Sequence, residues 1–352
     1  MTLFTHPEFD GHEEVVFCHD TASGLKGIIA IHNTRRGPAL GGCRMWPYAS
    51  EEEALTDVLR LSRGMTYKSA LADLPYGGGK SVIMGDPRRD KSEALLAAMA
   101  GFVESLGGRY IIAEDVGITQ ADAEVMLGHT EYVAGTRTGG AGDPSPSTAY
   151  GVYVGIKAAA AHKLGRAELA GLRIAVQGLG QVGSHLCRYL AQDGAKLIVT
   201  DIDPAAVARA ETEFGGEVSV RGVAPEAIYD AEVEIFAPCA LGAVINDETL
   251  PRLKASIVAG SANNQLAEDR HGAALARRGI LYAPDYVINS GGVINISHEG
   301  PRYRKEEAVR HVARIHETLR EIFRRAEAER IPTSKAADTL ALERLNSVPA
   351  AA

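Results

Sequence analysis

The 352-residue chain is poor in cysteine: Cys18, Cys43, Cys187 and Cys239 are scattered, with no C-x-x-C pair. That argues against a disulfide framework or a cysteine zinc site, and for buried thiols in a reducing cytoplasm. Basic charge is also in deficit, with 37 Lys and Arg against 45 Asp and Glu. The resulting net charge of −8 speaks against general affinity for nucleic acid. No stretch approaches the roughly 18 uninterrupted apolar residues of a membrane span. The first residues, Met1 to Glu8, lack the basic start and apolar core of a signal peptide. Eleven histidines occur without metal-ligand spacing, so no metal is expected. Aromatics make up only 6%, and Trp46, the one tryptophan, reads as packing or a subunit contact.

What remains is a globular composition, 45% hydrophobic and 23% charged, with length for two domains. Val15–Phe17 and Gly27–Ile31 read as strands, Glu51–Ser62 as an amphipathic helix and Ser81–Met84 as a strand. Ser92–Leu106 reads as a helix and Tyr110–Ala113 as a strand. A glycine- and proline-rich stretch from Gly135 to Pro146 is the expected linker and hinge. Beyond it come a helical Thr148–Lys163, a second α/β unit and a long charged helix from Arg302 to Glu329. The expected fold is therefore α/β with two domains and a cleft between them. A mixed-sheet substrate domain spans 1–140, a Rossmann-type domain 141–330, and a segment 331–352 returns to the first domain.

Two stretches carry chemistry. Between Met65 and Asp86, Lys68 and Lys80 bracket an apolar segment, and Gly77, Gly78 and Gly79 immediately precede Lys80. Glycines let a backbone approach a ligand closely, and a desolvated lysine is suited to act as a base. One lysine for a carboxylate and one for chemistry suggests an amino acid or oxo acid substrate. The competing reading is a glycine-rich surface turn with two solvated lysines. In the second half, the strand Leu172–Val176 leads into Gly178, Gly180 and Gly183 of a G-x-G-x-x-G fingerprint and then a helix. The strand Lys196–Thr200 ends at Asp201, 18 residues past Gly183 (201 − 183). A carboxylate there accepts hydrogen bonds from ribose hydroxyls and repels a 2′-phosphate, which favours NAD over NADP. Packing glycines in a doubly wound sheet are the alternative.

With both halves in view, the chain resembles the amino acid dehydrogenases, in their leucine, valine and phenylalanine branch. The resemblance runs through Gly37-Pro38-Ala39-Leu40-Gly41-Gly42, the block from Met65 to Asp86, and Ala113-Glu114-Asp115-Val116-Gly117. It continues through Pro144 to Gly151, the dinucleotide fingerprint and Pro238-Cys239-Ala240-Leu241-Gly242. It ends in Gly260 to Leu266 and Asn289-Ser290-Gly291-Gly292-Val293-Ile294-Asn295. It implies that Lys68 binds the substrate carboxylate, Lys80 is the general base and Asp115 passes protons at the amino group. Gly41 and Gly42 would offer backbone N–H groups, and Asn264 would bond the substrate backbone. Leu40, Met65, Ala113, Val293 and Ile296 would line the side-chain pocket. The cofactor set would comprise Gly178, Gly180, Gln181, Val182, Gly183, Asp201 and Ile202, together with Ser147, Thr148, Cys239, Ala240 and Asn263.

Ala113 and the branched side chains narrow the implied pocket, which points to leucine, valine or isoleucine. Asn263 and Ser290 depart from the commonest leucine-type residues, so an aromatic L-amino acid stays open. A catalytically silent NAD-binding regulator is a further alternative, and a hydroxy acid dehydrogenase lacks its His–Arg pair here. A homo-oligomer, dimer or octamer, is implied, with Cys18–Ile31 and Trp46 as the expected interface.

Overall fold

The computed structural model describes residues 2–137, 141–216, 218–301 and 303–347. Residues 138–140 of the expected linker, Arg302 at the head of the expected long helix and 348–352 of the expected returning segment lie outside them. The chain forms two compact units. The first comprises Met1–Asp143, Ile296–Arg304 and Ala341–Ala352, and the second Pro144–Asn295 and Lys305–Leu340. Among the described residues no helix is long and apolar enough to cross a membrane.

In the first unit β1 (Glu14–Asp20), β2 (Leu25–Asn33), β3 (Ala39–Trp46), α1 (Glu51–Leu71), β4 (Gly77–Met84), α2 (Glu93–Ser105), β5 (Tyr110–Ala113) and α3 (Gln120–Leu127) follow in order. The sheet runs β1-β2-β4-β3-β5, with β1 and β4 antiparallel to β2 and the remaining pairs parallel. It is buried on both faces. Ile29 and Ile31 join Met45, Ile83 and Met99 on one side, while Ile28 and Ala30 join Val58, Leu59 and Val82 on the other. Successive strand residues alternate faces, so a strand covered twice reads as a continuous apolar run. That corrects the expected interface: Cys18, Leu25 and Ile28–Ile31 are core, and of the large apolar side chains described there only Phe17 (59% exposed) and Trp46 (48% exposed) stay at the surface.

Helix α1 begins where Ser50 caps it, its side chain accepting the Glu53 N–H, with three glutamates in the first turn complementing the helix dipole. It runs past the expected end at Ser62 to Leu71, because Ser62, Thr66 and Ser69 are buried polar residues that interrupt the apolar periodicity. The three glycines before Lys80 belong to β4, not to a turn. A Cβ on Gly77 would strike the Asn33 carbonyl, one on Gly78 the Thr66 amide, and one on Gly79 the Tyr110 ring at 2.7 Å. With Lys80 only 5% exposed, the solvated-turn reading fails.

The second unit holds α4 (Ser145–Leu164), β6 (Arg173–Gln177), α5 (Gln181–Gln192), β7 (Lys196–Thr200), α6 (Pro204–Phe214), β8 (Val220–Gly222), β9 (Ile235–Pro238), β10 (Ile257–Val258), α7 (Arg270–Arg277) and β11 (Leu281–Tyr282). Then come α8 (Asp285–Ile288), α9 (Gly291–Ser297), α10 (Lys305–Ala313), α11 (Ile315–Glu329) and α12 (Thr333–Asn346), with α9 and α12 running on into segments of the first unit. Its sheet is entirely parallel in the order β11-β10-β9-β6-β7-β8. Counted from β6 this is the doubly wound 3-2-1-4-5-6 arrangement, whose order reverses between β6 and β9. The expected helix from Arg302 to Glu329 is two helices that break at Arg314; no glycine or proline marks the break.

Candidate active site

Lys80 sits in the middle of β4, and its Nζ lies 3.1 Å from Asp115 Oδ1. Asp115 follows β5, with the parallel neighbour β3 between β5 and β4. The carboxylate's other oxygen accepts the Arg44 Nε–H at 2.9 Å. Burial opposes the Asp115 charge, but the Lys80 and Arg44 cations outweigh it and hold the carboxyl below its usual range. Asp115 is therefore a carboxylate at neutral pH, and its buried partners orient both oxygens.

Gly41 and Gly42 lie on β3 beside this pair. A Cβ on Gly41 would collide with the Gly79 carbonyl, and one on Gly42 would come within 2.8 Å of Asp115 Cβ. Both positions demand glycine because backbone from β4 and from the Asp115 segment closes in from either side. Gly42 pairs with Ala113 across β3 and β5, and Leu40 with Ile111, so Leu40, Gly42 and Ala113 come together in one corner of the sheet. Tyr110, fully buried, donates its hydroxyl to the Gly41 carbonyl at 2.7 Å and holds this part of β3 in place. Cys43, next along, has its thiol pushed up to about 12 by burial, so it is an inert packing group. Met65 and Lys68, three residues apart on α1, share a helix face, with Lys68 in the last turn. Val293 and Ile296 share a face of α9 in the same way; Ile296 Cδ1 would lie 3.6 Å from a Cβ on Gly135.

In the second unit the fingerprint closes on itself. Gly178 has φ +98°, a value that favours glycine, and a Cβ there would meet Ala240 Cβ at 2.7 Å. A Cβ on Gly183 would collide with the Gly178 carbonyl, whereas Gly180, the N-cap of α5, faces open space. The turn is thus packed at its first and third glycines and open at its second, with the first turn of α5, from Gln181 and Val182, presenting N–H groups there. This cradle fits a dinucleotide pyrophosphate. Asp201 Oδ2 accepts the Leu179 N–H at 2.6 Å and Oδ1 the Asp203 N–H at 2.9 Å, so the carboxylate also clamps the fingerprint loop to the end of β7. Ile202, next to it, is 92% exposed. The Cys239 N–H donates to the Gln177 carbonyl at 2.7 Å, placing Cys239 and Ala240 at the point where the strand order reverses. Ligands of such sheets bind outside the strand ends at that point.

The remaining expected residues belong to the same unit. Asn264 has φ +51°, which asparagine tolerates, and its N–H donates to Asp285 Oδ2 at 2.5 Å. Asn263 Oδ1 accepts from the Asn289 amide at 2.7 Å. Ser147 and Thr148 occupy the first turn of α4, where the Thr148 hydroxyl donates back to the Pro144 carbonyl at 3.0 Å.

The relation to known proteins settles what this arrangement belongs to. A family model described as Glu/Leu/Phe/Val dehydrogenase, dimerisation domain, matches residues 12–132. Its companion, glutamate/leucine/phenylalanine/valine dehydrogenase, matches 139–211 and 200–351. The chain belongs to the Glu/Leu/Phe/Val dehydrogenase family. Within it, the chain is 54% identical to a leucine dehydrogenase of Geobacillus stearothermophilus over 99% of its own length and 94% of that protein. It is 47% identical to a phenylalanine dehydrogenase of Caldalkalibacillus thermarum, over 98% and 94%. The crystal structure of L-tryptophan dehydrogenase from Nostoc punctiforme superposes with a TM-score of 0.84 at 46% identity, covering 96% of this chain and 97% of that one.

Three residues not expected from the sequence, Arg44, Asp57 and Tyr48, join the Lys80–Asp115 pair. Arg44 Nη1 donates to Asp57 Oδ2 at 3.0 Å, and the Tyr48 hydroxyl donates to the same oxygen at 2.6 Å. The available signal was a charged residue inside the otherwise apolar strand Ala39–Trp46.

Proposed function

We propose that the protein catalyses the NAD-dependent, reversible oxidative deamination of a branched-chain L-amino acid to its 2-oxo acid and ammonium. The observation that carries this reading is the buried Lys80–Asp115 pair beside the glycine corner of β3. Leu40 and Ala113 favour an aliphatic side chain, as does the greater identity to leucine dehydrogenase than to the phenylalanine enzyme.

Gly178, Gly180, Gly183 and the start of α5 would hold the pyrophosphate of NAD, and Asp201 the ribose. When bound, NAD accepts a hydride from the substrate α-carbon. Lys68 supplies a fixed positive charge for the substrate carboxylate. Asp115, ionised at rest, takes a proton from the substrate ammonium so that the amine can form an imine. Lys80 then removes a proton from the water that adds to the imine carbon. Asp115 returns its proton to the amino group. As the C–N bond breaks and the carbonyl forms, the Asp115 carboxylate takes the hydroxyl proton and passes it to the departing ammonia, which leaves as ammonium. The net change consumes one water and yields the oxo acid, ammonium and one released proton.

The matched dimerisation domain supports a homo-oligomer, a dimer or an octamer, with the exposed Phe17 and Trp46 near its contact surface. Four free cysteines, three of them buried, suit a reducing cytoplasm. Initial rates with leucine, valine, isoleucine, phenylalanine and tryptophan, each with NAD and NADP, test the reading. It predicts that kcat/KM for the best aliphatic substrate exceeds that for either aromatic one by at least about tenfold, with NAD preferred. Faster turnover of tryptophan or phenylalanine would replace the aliphatic assignment with an aromatic one.

A further inference from the structure

Asp115 meets two cations at once, and the second belongs to no part of the proposed chemistry. Arg44 lies on β3, its side chain largely buried, and its guanidinium is held at two points. Nε donates to Asp115 Oδ2 at 2.9 Å and Nη1 to Asp57 Oδ2 at 3.0 Å. Asp57 comes from α1, and Tyr48, just beyond β3, donates to it at 2.6 Å. The result is a continuous row, Lys80–Asp115–Arg44–Asp57–Tyr48, supported by two strands and a helix.

We propose that Arg44 is a positioning residue of the reaction: anchored by Asp57, it fixes Asp115 with Oδ1 turned to Lys80, and its charge sets the pH range in which that pair exchanges protons. The inference rests on the dehydrogenase reading of Lys80 and Asp115. A guanidinium is a planar fork with a permanent charge, so a two-point grip leaves Asp115 little rotational freedom. Without it, the carboxylate would answer to Lys80 alone. Arg44 supplies a second cation beside Asp115, so the carboxylate keeps a neighbouring positive charge whichever way the proton moves within the pair. Asp57 in turn moderates Arg44.

Among the described residues, Cys43 on β3 and Tyr110 on β5 also adjoin the pair and are kept neutral by burial. Glu114, next to Asp115, is raised by burial and then by the neighbouring Asp143 and Asp115 charges. Arg44 and Asp57 are therefore opposite charges that can be removed one at a time, and their removal acts on the pair with opposite sign.

The test is the pH profile of kcat/KM for L-leucine in the wild type, Arg44→Gln, Arg44→Lys and Asp57→Asn, with thermal melting to verify folding. Substrate ammonium titrates identically in all four, so differences in the acid limb report on the protein. Arg44→Gln should move that limb to higher pH by about one unit, since removing a positive charge raises neighbouring pKa values. It should also lower kcat at least tenfold. Asp57→Asn should move the limb to lower pH by a smaller amount. Arg44→Lys should keep the limb near its wild-type position while recovering only part of the rate, because the fork is lost. Limbs that coincide, or that move in one direction in both charge variants, overturn the proposal. If Arg44→Gln does not fold, the downward shift in Asp57→Asn decides: its presence supports the role and its absence overturns it. A wild type that turns over no amino acid overturns the dehydrogenase reading, and this inference with it. An active wild type with unmoved limbs overturns this inference alone.

Discussion

Lys80 and Lys68 should fail in different ways when truncated. Lys80→Ala removes the base that handles water, so kcat should fall by roughly 10²- to 10⁴-fold while NAD affinity, measured by fluorescence titration, stays within about twofold. Lys68→Ala removes the carboxylate's charge partner, so its main effect should be a rise in KM for the amino acid. Near-normal kcat in Lys80→Ala would show that another group is the base. Lys80 stood out in the sequence by the three glycines before it and Asp115 only through the family resemblance of Ala113–Gly117; the structure brings the two side chains together. The contact between Arg44 and Asp115 spans 71 positions in the chain. No local pattern announces such a pair, and an arginine in a strand reads as an edge residue until the sheet is closed around it. Asp201 was legible for its place at the end of β7. Its second duty, clamping Leu179, depends on how the fingerprint turn folds back and could not be read from spacing.

At the scale of elements, glycine positions separate close approach from mere permissiveness. A Cβ on Gly41 would run into the Gly79 carbonyl, so Gly41→Ala must push β3 and β4 apart. It should cost about 1–3 kcal/mol or more, seen as a lowered melting temperature. Gly64, in the middle of α1, has nothing within 4 Å of a Cβ. Gly64→Ala should therefore stabilise by about 0.5–1 kcal/mol, through helix propensity and a less flexible unfolded chain. Similar melting shifts for both would contradict the packing described here.

The same helix is held to β2 by a buried histidine. His32 Nδ1 lies 2.8 Å from Thr66 Oγ1, and its ring packs edge-on against His12 with centroids 4.8 Å apart. Burial lowers both pKa values, His32 from 6.5 to about 4. The folded state thus favours neutral rings, and the unfolded chain binds more protons. The stability contributed is complete above pH 6.5 and is lost as pH falls from 6.5 towards about 4. For His32 alone the shift (6.5 − 4) corresponds to at most roughly 3–4 kcal/mol. Urea unfolding at pH 7.5 and 5 should show this loss, and His32→Asn should flatten it; equal slopes would refute the account. The strands and helices with clean periodicity were legible in the sequence. β3 was not, because Gly41 and Gly42 interrupt its β pattern, and α1 looked shorter than it is because its buried face turns polar at Ser62, Thr66 and Ser69.

For the whole molecule, the fingerprint and its following acid made the second unit's fold readable, since strand, glycines, helix and carboxylate occur in a fixed order. The sequence placed a returning segment at 331–352, whereas Ile296–Arg304 carries no motif that ties it to the first unit, so that part of the discontinuity was not readable. The proposed assembly predicts that light scattering at micromolar concentration finds a single species of at least twice the 37.3 kDa chain mass, and a monomer would contradict it. The central claim is the chemistry, and product stoichiometry tests it most directly. With L-leucine and NAD, the purified enzyme should form NADH, ammonium and the 2-oxo acid in equal amounts, each dependent on Lys80. NADH formed without ammonium, or no NADH with any L-amino acid, would contradict oxidative deamination.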